Sequence, residues 1–139
     1  MTAPTIVDYA GGSADASAPE SDTVYLTGTG NAILVIAAPY FGASYDPMGA
    51  VIDGVTATVI DQGDLSVYSY YFAAKREGSF SGTTPVKMTF NGSGSDQSGL
   101  CFAAILLDGA EIGGSVYSTN DDVSHSGSIP GGADDLVVW

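Results

Sequence analysis

Basic residues are almost missing from this chain. Lys75, Arg76 and Lys87 stand against 16 Asp and Glu, giving a formal net charge of −13. A surface this acidic repels phosphate backbones and anionic headgroups, so nucleic acid and anionic membrane are excluded as partners. Cysteine and histidine are as scarce, one of each. A lone cysteine allows neither an internal disulfide nor a cysteine zinc cluster. Cys101 stands inside "GLCFAAILL" and reads as a small buried hydrophobe. His125 lies in a Gly/Ser stretch with no G-x-S-x-G elbow, which argues against a Ser-His-Asp hydrolase.

Long apolar runs are absent too. The run at 32–41 falls short of the ~20 residues that span a bilayer, and Pro39 interrupts it. The first 22 residues contain no basic region followed by an apolar one, so no signal peptide is read there. Neither export nor membrane insertion is expected from these segments. No segment combines a 3.6-residue apolar period with helix caps.

What remains is 45% hydrophobic residues, 19 glycines and only 14% charged residues. That content supports a single folded domain rich in turns, with a polar surface made largely of Ser, Thr, Asp and Tyr. Residues 1–22 read as an N-terminal arm. Residues 10–22 are loose in composition, and "TIV" at 5–7 is a strand or docking segment with Ile6 and Val7 as its contacts. Residues 23–139 read as one sandwich domain, since short β-rich runs there alternate with Gly/Asp/Ser/Pro clusters.

The runs alternate with period two. Val24 and Leu26 oppose Tyr25 and Thr27. Val55, Ala57 and Val59 oppose Thr56, Thr58 and Ile60. Val86, Met88 and Phe90 oppose Lys87, Thr89 and Asn91. "AILVIAA" (32–38) and "LCFAAILL" (100–107) read as central strands covered on both faces. "LSVYSYYF" (65–72) reads as an aromatic strand with Tyr68, Tyr70 and Phe72 on one side. Asp53-Gly54 between two apolar runs predicts a type I′ hairpin. Gly28-Thr29-Gly30-Asn31 resembles a phosphate loop, but no third glycine follows in register and the next segment is Ile/Val-rich. A turn between two strands is the expectation there.

Candidate chemistry is sparse. Asn120, Asp121 and Asp122 are hard oxygen ligands of the kind calcium takes, as are Asp134-Asp135 and the Asp61/Asp64 pair, but none fits the EF-hand pattern. Loop calcium is the one cofactor the composition leaves open. Three glutamates, Glu20, Glu77 and Glu111, do not mark a glycosidase pair. Aromatics are the remaining signal: Tyr40, Phe41 and Tyr45 flank a loop where they could anchor a protein or stack on a sugar.

Taken in order, "LTGTGNAILVIAA", "VIDGVTATVI", "LSVYSYYFAAKREGSFSGTTPVKMTFNGSGS" and "GLCFAAILLDGAEIGG" resemble a family of β-sandwich domains. These occur in virion proteins of bacteriophages and gene-transfer agents and in some secreted bacterial proteins. The likeness spans about residues 22–118 and carries no catalytic residues. The usual family form has Asn-Arg after the glycines, where this chain has Asn31-Ala32. The resemblance implies an all-β antiparallel sandwich, jelly-roll-like, of about eight strands. It further implies a non-enzymatic virion structural protein: a head decoration, head fibre or tail-associated domain. Capsid or tail proteins and further copies of itself would be its partners. The alternative is a carbohydrate-binding module that recognises cell-surface glycan.

Overall fold

The computed structural model describes residues 4–15, 20–40, 45–66, 69–92 and 99–112. Among them there is no helix. Seven strands appear: β1 (Thr5–Asp15), β2 (Glu20–Tyr40), β3 (Tyr45–Ile52), β4 (Val55–Thr56), β5 (Thr58–Ser66), β6 (Ser69–Gly92) and β7 (Gly99–Asp108). All pair antiparallel in the order β1-β7-β2-β6-β3-β4, with β5 also on β6. The all-β, sandwich-like class expected from the alternation is what the chain adopts. The run "LVVW" at 136–139, read as a further strand, lies outside the described residues.

Two strands set the architecture. β2 has 21 residues and β6 has 24, several times the usual ~5–6. They pair from Glu20↔Phe90 to Ala37↔Phe72. One irregularity interrupts the ladder: Gly30 faces Phe80, but Ala32 faces Glu77. Asn31 on β2 therefore opposes two residues, Gly78 and Ser79, and the ribbon bends at this bulge. Residues 32–37 of β2 lie between β6 and β7, whereas residues 20–30 have a ladder with β6 alone.

The bulge explains the burial pattern. Before it, β2 gives Val24 and Leu26 to the main buried cluster; after it, Ile33, Val35 and Ala37, while Ala32 is buried in a second cluster with Leu107 and Ala110. A one-residue insertion reverses which parity faces inward. The extra residue is on β6, so the two strands change parity relative to each other: the buried positions of β2 switch while β6 keeps Phe72, Ala74, Val86 and Met88 buried. Both halves of the ribbon thus contribute to one core, joined by Ala50 and Ile52 from β3 and by Phe102, Ala104 and Leu106 from β7. Among the described residues, that cluster is lined by strands and by Ala57 between β4 and β5.

Several expectations need correction. Gly28–Asn31 is not a turn; β2 runs straight through it. Gly30 is required there because a Cβ would run into the Leu107 carbonyl oxygen. Within the stretch expected to be loose, residues 10–15 and 20–22 are strand: β1 extends to Asp15 on a ladder with β7, and β2 begins at Glu20. Its glycines let a flat backbone pass close, since a side chain at Gly12 would strike the Phe102 ring. The aromatic run 65–72 is not one strand, because β5 ends at Ser66 and β6 begins at Ser69, its register partner. Cys101 is exposed, not buried. Phe102, Ala104 and Leu106 take the inner face of β7, so Cys101 is left on the other one.

The hairpin expectation holds. Asp53 (φ 50°) and Gly54 (φ 74°) form the two-residue connection between β3 and β4, both in the left-handed region that a type I′ turn needs. Arg76 fixes this hairpin onto the bend. Its Nη1 donates to the Ile52 carbonyl at 2.8 Å and lies 3.5 Å from Asp53 Oδ2. The guanidinium also sits 5.1 Å from the centroid of the buried Phe80 ring, a cation–π contact.

Candidate functional site

β1 is hydrogen-bonded to β7 along one edge. Its other edge approaches residues 22–28 of β2, where two aspartates take the place of a ladder. Asp8 Oδ2 accepts the Thr27 N–H at 2.6 Å, and Asp22 Oδ2 accepts the Ser13 N–H at 3.1 Å. The other oxygen of each carboxylate accepts the next N–H on its own strand, Tyr9 at 2.9 Å and Thr23 at 2.8 Å. The two bridges run in opposite directions across the seam and supply acceptors for edge N–H groups. Val7 lies over Gly28, with its Cγ1 only 2.5 Å from where a Cβ would stand.

This seam concentrates exposed apolar surface. Six large hydrophobic residues are exposed among the described residues, and four belong to it: Ile6 (53%), Val7 (38%), Tyr9 (75%) and Tyr25 (62%). The bridging pairs 8/27 and 13/22 bracket Tyr9 and Tyr25 on the two facing segments. Alternation explains why both tyrosines point outward. Tyr25 stands between buried Val24 and Leu26, and Tyr9 stands beside Ala10, which packs against the core. The electrostatics are one-sided. Residues 5–30 contain Asp8, Asp15, Glu20 and Asp22 and no base. The nearest cation by register is Lys87, which faces Thr23 across the β2–β6 ladder.

Of the residues singled out from sequence, Ile6 and Val7 lie on this seam. Tyr40 ends β2 opposite Gly99, and Tyr45 begins β3 opposite Gly92. Their side chains, like Phe41, lie outside the described residues, as do His125, the Asn120-Asp121-Asp122 group and Asp134-Asp135. Asp61 and Asp64 sit on β5. No group of three or more potential metal ligands occurs among the described residues. Tyr9 was missed as a candidate. Its signal is an aromatic that directly follows the Ile6-Val7-Asp8 run in β1. Tyr25 had been assigned to the polar side of its strand but not singled out.

A second polar cluster holds the chain after β7. Asn31, which faces the bulge, donates through Nδ2 to the Ala110 carbonyl at 2.6 Å and accepts the Ala110 N–H at Oδ1 at 3.0 Å. Its amide thus imitates a strand neighbour. Glu77 accepts the Ile112 N–H at 3.0 Å, and Lys75 donates to the Ile112 carbonyl. Lys75 and Glu77 also pair at 3.2 Å. Lys75, followed by the Ile112 N–H, holds the Glu77 carboxyl below the ordinary glutamate range. These groups order residues 110–112; nothing among them forms a nucleophile with a base.

Compared with protein-family models, with curated proteins and with solved structures, the chain finds no match.

Proposed function

We propose that this protein is a virion structural protein of the bacteriophage type, a jelly-roll-like sandwich that works by docking and display. The observation that carries this reading is the β1–β2 seam. Among the described residues, four of the six exposed large hydrophobics collect there, around two tyrosines. Tyrosines give large contact area at low entropic cost and are favoured as interface anchors. Buried against a capsid or tail protein, the patch would exclude water from the Asp8 and Asp22 bridges and strengthen them. Repeated copies on one particle would add avidity to a modest single contact. The strongly acidic remainder suits an outward, solvated surface. The non-enzymatic reading draws on the absence of an acid–base or nucleophilic constellation in the sequence.

The test is co-sedimentation with particles from the virus or gene-transfer agent that carries the gene. Wild-type protein is expected to pellet with particles lacking it. The Tyr9→Ser/Tyr25→Ser double variant is expected to stay in the supernatant while its circular dichroism is unchanged. Wild-type protein that never pellets would sink the reading. Glycan recognition, the alternative, draws on the same two tyrosines, whose exposed rings could stack on sugars. Binding on a glycan array that Tyr25→Ser abolishes would favour it over particle docking.

A further inference from the structure

The segment Val55-Thr56-Ala57-Thr58-Val59 is a palindrome and forms part of a sheet edge. β4 pairs only with β3, and β5 only with β6. Among the described residues, nothing pairs with their other side. Ala57 turns its N–H inward to the Ala50 carbonyl at 2.9 Å. Its side chain is buried at 6%. Val55 and Val59 share its parity and remain 49% and 43% exposed, so the apolar side of this edge is covered only at its centre. Thr56 and Thr58 are exposed on the other side. The rest of β5 is guarded differently. Register shifts interrupt it between Val59 and Asp61 and between Asp64 and Ser66, and bulges and charges are common means of keeping an edge from pairing. Residues 55–59 have neither.

We infer that this edge pairs with the same edge of a second copy of the chain, antiparallel about a two-fold axis through Ala57. A palindrome is self-complementary under that operation, as an isologous interface requires. Val55 then faces Val59 of the other copy, and Thr56 faces Thr58. These are β-branched and hydroxyl cross-strand pairs of the favourable kind. A strand added here also extends the apolar row over the two half-exposed valines. The same register brings Asp53 of one copy toward Asp61 of the other. That repulsion is softened by Arg76, which already neighbours Asp53. The interface is short, in the range of weak and transient contacts, and salt strengthens it by screening the acids. This inference builds on the homo-oligomer in the functional reading by naming its surface. It is tested without any particle, so the two can fail separately.

The test uses the full chain with Cys101→Ser to remove the exposed native thiol. Adding Val55→Cys and Val59→Cys together creates two thiols per chain. They lie four residues apart on an extended segment, about 13 Å, too far to join within one molecule. Mild oxidation is expected to give a covalent dimer from the double variant. Neither single variant should cross-link, because each new thiol then faces a valine. In sedimentation velocity, raising salt from about 0.05 to about 0.5 M should strengthen dimerisation, and Val59→Asp should weaken it at least tenfold. A double variant that yields no more dimer than the single ones, or wild-type protein monomeric at every salt concentration, overturns the inference.

Discussion

The two halves of β2 are one strand with two different neighbourhoods. Residues 32–37 are paired on both edges, with β6 and with β7. Residues 20–30 are laddered on one edge only, and Asp8 and Asp22 bridge the other to β1. The first half alternates strictly between buried and exposed side chains, Val24 and Leu26 against Tyr25 and Thr27; in the second, Leu34 and Ile36 are half-buried even on the outward side. The difference teaches where rigidity and function separate in this sheet. The doubly paired half provides the scaffold, and the singly paired half, with β1, presents the exposed aromatics.

The comparison can be broken at its strongest point first. Ile33→Ala, at a fully buried site in the doubly paired half, should cost about 2–5 kcal/mol. Urea unfolding gives the number. Tyr25→Ala, on the exposed side of the other half, should change stability by less than about 0.5 kcal/mol; a comparable loss at both sites would erase the distinction. Next in size is Gly30→Ala, whose new methyl meets the Leu107 carbonyl and the Leu106 side chain. An overpacking cost of about 1–3 kcal/mol is expected in thermal or urea unfolding.

Smaller, and more informative about the seam, is Asp8→Ala combined with Asp22→Ala. Each bridge is partly solvated, so about 1 kcal/mol apiece is expected. The sharper readout is hydrogen exchange. The Thr27 and Ser13 amides should lose protection while amides of residues 33–37 keep theirs. Smallest is the effect of acid on Glu77. Its carboxyl is held below the ordinary glutamate range by Lys75 and then by the Ile112 N–H. A lowered value means the bond is fully present above the ordinary glutamate pKa and is lost as pH falls through the lowered one. The Ile112 amide resonance should therefore move only below the usual glutamate range, and Glu77→Gln should remove that movement.

Much of this division was legible in the sequence. Period-two alternation at 24–27 and 86–89 placed the correct sides inward, and Asp53-Gly54 placed a hairpin turn. The continuous apolar runs at 32–38 and 100–107 fall on β2 and β7, both of which have neighbours on both edges. Less legible was everything that depends on long-range pairing. Gly-Thr-Gly-Asn suggests a turn locally, and only the parity change from Val24 and Leu26 to Ile33 and Val35 shows that β2 runs on through it, opposite an extra residue of β6. β1 looked like a loose arm because its glycines and serines have little β preference; its strand state comes from β7 beside it. The exposure of Cys101 follows from the face that Phe102 takes, which no local pattern fixed in a run apolar throughout. The seam itself was half legible: Ile6 and Val7 were singled out, whereas the meeting of Tyr9 and Tyr25 needed the approach of β1 to β2.

The most direct measurement of the central claim is hydrogen–deuterium exchange on the protein free and bound to particles. Docking through the seam predicts new protection confined to about residues 5–13 and 21–29, with residues 32–38 already protected in both states. Protection that appears elsewhere on the bound protein, with the seam amides exchanging as they do in the free one, would contradict it.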